Sequence, residues 1–225
     1  MERLVIGTAL VVLFTAFLWW LPDTRPGRGY ADEDSAWDPP FLVENILTMD
    51  ECREIIAKAE PRFARSTVVA DETVQNSRTS ETAWISKDDP LARKVLQKAM
   101  EITGKPFANC EDLQVVRYKP GTYYRAHHDS CCEDNKHCKD FESKGGQRVG
   151  TLLLYLNSDF TEGQTHFPDF KNLKITARPG SAIFFRPLGT WDKRCHPFAL
   201  HAGLPIATGT KYVCNIWVRE NEFVR

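Results

Sequence analysis

The sequence predicts an α+β domain, a double-sheet jelly roll buttressed by N-terminal helices, preceded by one transmembrane helix. Three observations carry this prediction. Residues 4–21 (LVIGTALVVLFTAFLWWL) contain no charge. Two amphipathic helical patterns follow between residues 49 and 104. From residue 113 onward, short segments rich in β-branched and aromatic residues alternate with Gly and Pro turns, as antiparallel sheets require.

The chain has 225 residues, 42% hydrophobic and 26% charged, which is a globular composition. Lys+Arg 29 against Asp+Glu 30 leaves a net charge of -1, so no nucleic-acid partner is expected. At 1.5 Å per residue the apolar run spans about 27 Å, close to the thin hydrocarbon core of the ER membrane. It is longer than a signal-peptide core, and no small-x-small cleavage pattern closely follows Trp19-Trp20-Leu21-Pro22, which favours an uncleaved signal anchor over residues 1–22. Residues 23–40 (DTRPGRGYADEDSAWDPP) are polar and rich in Pro, Gly and acid, and read as a linker or stem. The folded domain then covers 41–225.

Thr48-Met-Asp-Glu51 is a capping box, and Cys52, Ile55, Ile56 and Ala59 recur at helical spacing, giving a helix over 49–60. A second helix opens at Asp89-Pro90, carries Leu91, Val95, Leu96 and Ala99 on one face, and ends at Gly104. The strand segments are LQVVRY, TYYRAHHD, RVGTLLLYLN, LKITA, SAIFFRP, FALHAG and KYVCNIWVRE.

His127-His-Asp129 is the one His-x-Asp in the chain. On a strand, residues i and i+2 share a face, so His127 and Asp129 can aim at one ion while His128 turns away. His201, in an apolar segment closed by Gly203, is the candidate third ligand. Two imidazoles and a carboxylate leave open positions on Fe(II), whereas structural zinc is closed and usually thiolate-rich. Lys211 opens an apolar strand, where an inward lysine needs an anion. A short turn is expected to bring it alongside His201 on an adjacent strand.

These segments together resemble the prolyl 4-hydroxylase family of Fe(II)/2-oxoglutarate dioxygenases. The resemblance runs from about Phe41 to Glu220 and includes Ser77-Arg-Thr-Ser80, Gln114–Tyr118, Tyr124-Arg-Ala-His127-His-Asp129, Gly146-Gln-Arg-Val149, Phe167-Pro168, Pro179–Phe185, His201-Ala-Gly203 and Lys211 with Trp217-Val-Arg-Glu220. It implies a double-stranded β-helix core and iron held by His127, Asp129 and His201. Lys211 would grip the distal carboxylate of 2-oxoglutarate, with hydrogen bonds to the cosubstrate from Tyr118 and Thr165. Arg78 and Trp217 would belong to the peptide groove. The implied reaction is hydroxylation of peptidyl proline, with 2-oxoglutarate and O2 consumed, succinate and CO2 released and ascorbate as a further cofactor. A Pro-rich peptide in polyproline II form suits such a site, since its conformation is already set. The family's anchored members place the domain in the ER lumen, single-pass through residues 4–21. Gln164 and His166 depart from the family's usual Gly-Gly-Glu-Thr-x-Phe-Pro, and Ala126 from its usual Pro. The alternatives are a hydroxylase for another residue such as lysine, or a peptide-binding module without turnover.

Ser130–Lys144 reads as a polar loop beside the iron motif. Disulfide stapling, a Cys/His zinc site of Cys131, Cys132, His137 and Cys138, and free thiols are the possible states, with stapling favoured because adjacent cysteines seldom share one tetrahedral ion. Cys195, in the loop 189–197, is within conceivable reach. Cys52, Cys110 and Cys214 fall in or beside predicted elements and read as core residues.

Overall fold

The computed structural model describes residues 29–66 and 77–225. The apolar run assigned to the membrane lies outside them, and among the described residues no helix is long and apolar enough to cross a membrane. The elements are β1 (Phe41–Val43), α1 (Met49–Ala59), β2 (Ala64–Arg65), β3 (Glu81–Ile85), α2 (Pro90–Thr103), β4 (Leu113–Tyr118), β5 (Tyr124–His127), α3 (Lys136–Glu142), β6 (Arg148–Tyr155), β7 (Phe160–Glu162), β8 (Thr165–Phe167), β9 (Leu173–Ile175), β10 (Ala182–Phe185), β11 (His201–Gly203), β12 (Ile206–Gly209) and β13 (Lys211–Arg219).

Side-chain alternation along β13 divides the interior into two cores. Cys214, Ile216 and Val218 join Leu152 and Leu154 of β6 and pack on Ile55 of α1 and Val95 and Leu96 of α2. On the other face, Val213 joins Val116, Tyr155, Ile183 and Phe185 and meets Phe167 and Ile206 of the smaller sheets. With both faces covered, the strand is largely apolar along its length, interrupted by Asn215, whose amide nitrogen donates to Gln114 Oε1 at 3.0 Å. The seven-stranded sheet runs β1-β10-β6-β13-β4-β3-β2, opposed by a four-stranded sheet β5-β11-β8-β9 and the pair β12-β7. This antiparallel sandwich with helices behind the larger sheet is the predicted jelly-roll architecture.

The helix boundaries follow their caps. Thr48 Oγ1 accepts from the Glu51 amide at 3.3 Å, and Glu51 returns the bond to the Thr48 amide at 2.8 Å. Asp89 caps α2, and Gly104 ends it in the left-handed conformation. Gly180, at φ +79°, turns into β10 so closely that a Cβ there would lie 2.1 Å from the Leu47 carbonyl oxygen. Gly180→Ala is expected to cost about 3 kcal/mol of stability, read as a lowered urea midpoint.

Three expectations need correction. Residues 29–40, part of the 23–40 stretch read as a linker or stem outside the domain, lie against it. The Ala31 amide donates to the Cys195 carbonyl at 2.8 Å, and Trp37 stacks on His196 at 5.3 Å while its indole N–H reaches the Arg186 carbonyl at 2.8 Å. One anchoring tryptophan in an otherwise polar stretch is too little for periodicity to reveal. The loop after the iron motif holds the helix α3, capped by Asn135, whose Oδ1 accepts from the Cys138 amide at 2.8 Å. Lys211 is not on a strand adjacent to His201: β11 belongs to the smaller sheet, whereas β13 pairs with β4 and β6 in the larger one. The chain leaves the β11 sheet after Gly203, pairs with β7 through β12, and enters the larger sheet after Gly209.

Candidate active site

β5 and β11 pair directly, with His127 opposite His201. The strand β5 ends at His127, so Asp129 is delivered by the bend that follows rather than by strand alternation. The result is the same constellation: one ligand atom each from His127, Asp129 and His201 lies within 4.8 Å of the others. Nε2 of His127 is 3.7 Å from Asp129 Oδ1, and Nε2 of His201 is 3.7 Å from Asp129 Oδ2.

Backbone carbonyls orient both rings. Nδ1–H of His127 donates to the Arg125 carbonyl at 2.9 Å, and Nδ1–H of His201 to the Ala199 carbonyl at 3.0 Å. A carbonyl can only accept, so each proton sits on Nδ1 and each Nε2 lone pair faces Asp129. Burial, reinforced by His127, lowers His201 to about 4, keeping it neutral and ligating at neutral pH. Burial opposes ionisation of Asp129, but His201 and His127 outweigh it and hold the carboxyl well below the usual range. A carboxylate between two imidazoles, with no thiolate among them, fits Fe(II).

The start of β6 clamps the ligand-bearing segment. Thr151 Oγ1 donates to Asp129 Oδ2 at 2.7 Å, and Arg148 reaches the Asp129 carbonyl at 3.3 Å. Arg148 is itself held by Glu111 through bonds of 2.7 and 2.9 Å. Sequence reasoning missed Thr151, because it sits inside Val-Gly-Thr-Leu-Leu-Leu and nothing in that apolar run marks one hydroxyl as special. Thr151→Val is expected to weaken metal binding about 10-fold, with Thr151→Ser retaining it, as measured by metal titration.

Lys211 lies across the sandwich, 2% exposed. Its Nζ donates to the Gly163 carbonyl at 2.7 Å and sits over the Tyr155 ring at 4.9 Å and the Tyr118 ring at 5.4 Å. Burial lowers its pKa to about 7, and no carboxylate among the described residues offsets that burial. Tyr118 is its cross-strand partner and reaches toward β11: a Cβ on Gly203 would lie 3.2 Å from the Tyr118 hydroxyl. Thr165, on β8, pairs with Gly203 from the other side and hydrogen-bonds the Tyr155 hydroxyl at 2.7 Å. Lys211, Tyr118 and Thr165 therefore gather around the strand that carries His201. An ammonium group seated in an aromatic cage and lacking an acid is the donor set for a carboxylate ligand.

Arg78 and Trp217 are both 5% exposed, so they form a wall and not a protruding groove edge. Arg78 bonds Ser80 and Gln114 and covers the Tyr124 ring at 4.7 Å, and Tyr124 in turn stacks on His127 at 3.6 Å. Trp217 stands opposite Thr151, under the Arg148 guanidinium at 3.5 Å, with its buried indole N–H unpaired. The cysteine loop is stapled twice, by Cys131–Cys138 and Cys132–Cys195, which rules out the four-residue zinc set. Cys52, Cys110 and Cys214 are free and buried, as expected.

Residues 113–219 match the family model of the 2OG-Fe(II) oxygenase superfamily. A putative prolyl 4-hydroxylase of Acanthamoeba polyphaga mimivirus is 41% identical over 194 residues, covering 86% of this chain and 79% of the relative. The prolyl 4-hydroxylase subunit alpha-2 of Gallus gallus is 34% identical over 208 residues, and the chain spans only 37% of its length. Among solved structures, the 2OG complex of the viral collagen prolyl hydroxylase from Paramecium Bursaria Chlorella virus-1 aligns with a TM-score of 0.62 at 30% identity, covering 80% of this chain and 96% of that one.

Proposed function

This chain belongs to the prolyl 4-hydroxylase family of 2OG-Fe(II) oxygenases, and from that premise we propose how its own residues act on peptidyl proline. It is a dioxygenase that uses Fe(II), 2-oxoglutarate and O2. When bound, these groups supply the oxidising chemistry, in which the keto acid becomes succinate and CO2 and one oxygen atom enters the proline ring. His127, Asp129 and His201 hold the metal through Nε2, a carboxylate oxygen and Nε2. Thr151 and Arg148 keep the Asp129 segment in place. Lys211 pairs with the distal carboxylate of 2-oxoglutarate, while Tyr118 and Thr165 position it from either side of Gly203. The aromatic cage excludes water, which strengthens the lysine–carboxylate contact.

The wall of Arg78, Tyr124 and Trp217 beside His127 and Thr151 is where a peptide would lie. The partly exposed Tyr124 ring there suits the ring faces of an extended, Pro-rich segment in polyproline II form. One observation carries the reading: a buried lysine without an acid stands across the sandwich from a His-Asp-His metal set. The test is mass-resolved hydroxylation of short Pro-rich peptides of different repeat. A gain of one oxygen at proline, dependent on both Fe(II) and 2-oxoglutarate, is the expected result. A gain on lysine alone would overturn the substrate assignment.

The proposed placement is a domain on the lumenal side of the ER membrane, anchored through residues 4–21. The charge-free run and two disulfides support it, since disulfides persist in oxidising compartments. Protease protection in microsomes tests this, and cleavage of the domain in intact vesicles would refute it.

A further inference from the structure

Beside the iron site lies a second group of ligating side chains. His128, Cys132 and Cys195 each offer one ligand atom within 4.8 Å of the others. Nδ1 of His128 is buried and has no hydrogen-bond partner. Cys132 is 9% exposed and Cys195 1% exposed, and the disulfide between them joins the segment of Asp129 to the segment that leads into His201. The segment at residues 29–31 covers this spot: the Cys195 amide donates to the Gly29 carbonyl at 3.0 Å, and Tyr30 meets the His128 ring edge-on at 5.4 Å.

We propose that these three residues form a redox-gated site for a thiophilic d10 cation of the zinc type. A dithiol reductant opens the Cys132–Cys195 bond, itself becoming a disulfide and leaving two thiols. Zn2+ then binds both sulfurs and a His128 nitrogen and releases two protons, with water in the fourth position. The geometry suits the exchange. Two thiolates on one zinc stand about 3.8 Å apart, given Zn–S bonds of about 2.3 Å and tetrahedral angles. The Cα–Cα separation of 5.6 Å lets both sulfurs reach that spacing by small side-chain rotations. The site thus replaces a covalent tie between the two iron-bearing segments with a coordinate one under reducing conditions. It differs from the iron triad in its thiolates, which give it a separate signature.

Co2+, as a spectroscopic substitute for Zn2+, reads the site directly. Added to the full chain reduced with a dithiol and freed of excess reductant, it is expected to give a thiolate-to-cobalt charge-transfer band that zinc displaces. The oxidised protein should give none. The band should vanish in Cys132→Ser and Cys195→Ser and persist in Cys131→Ser/Cys138→Ser. His128→Ala should weaken cobalt binding at least about 10-fold. Unchanged peptide hydroxylation by oxidised His128→Ala would show that the variant is folded. A reduced protein with no such band, or a band that survives loss of both Cys132 and Cys195, overturns the proposal.

Discussion

His201→Ala is expected to abolish hydroxylation, with turnover reduced more than about a thousandfold, well beyond the 10- to 100-fold typical of losing a partner that only orients a ligand. His201 is the one ligand donated by the strand at the centre of the smaller sheet, and it stands opposite His127. Without it the metal keeps two protein ligands, both from one short segment. Asp129, buried, loses the imidazole that stands 3.7 Å from its Oδ2. Alanine also leaves a void beside Phe185 and Phe167, whose rings lie 4.6 and 5.7 Å from the imidazole. That void costs stability, so His201→Gln, which fills it better, separates packing from ligation. Both variants should lose metal binding, while the glutamine variant should melt nearer the parent. A His201→Ala protein that turns over at the parental rate would remove the metal assignment.

The legibility of this site in the sequence had a physical limit. His127, Asp129, His201 and Lys211 are conspicuous because a charged or ligating side chain in an apolar strand is costly and needs a reason. What the sequence could not show is which strands are neighbours. Lys211 follows His201 by ten residues, and a hairpin is the simplest inference, yet the chain detours through β12, which pairs with β7, before entering the larger sheet, and this places the two residues across the sandwich. The short strands β1, β7, β8 and β12 escaped for a related reason. Three or four residues are too few for alternation to register, and their pairing is decided by partners remote in sequence. The clamp on Asp129 lay hidden because Thr151 is chemically modest and acts only through its register opposite Trp217. Of the disulfides, the short Cys131–Cys138 loop is local, whereas Cys132–Cys195 closes 63 residues and depends on two loops meeting in space.

Lys211→Ala should act differently from loss of a metal ligand. It should leave metal binding near the parental value and raise the 2-oxoglutarate concentration needed for half-maximal turnover by about 10- to 100-fold, the worth of one buried charge-assisted hydrogen bond. The parent protein should also show a pH signature. In the cosubstrate-free site, burial holds Lys211 at about 7, so above that pH the amine is mostly neutral. The distal carboxylate favours the charged form and draws the pKa back upward. Binding of 2-oxoglutarate above pH 7 therefore takes up a proton, and affinity falls as pH rises, by up to about 10-fold per unit. Below pH 7 the lysine is already charged and this dependence disappears. Calorimetry under anaerobic conditions, in two buffers of different ionisation enthalpy, measures the uptake directly. The expected value approaches one proton at pH 8 in the parent and falls toward zero in Lys211→Ala, whereas equal uptake in both would place the cosubstrate's distal carboxylate away from Lys211.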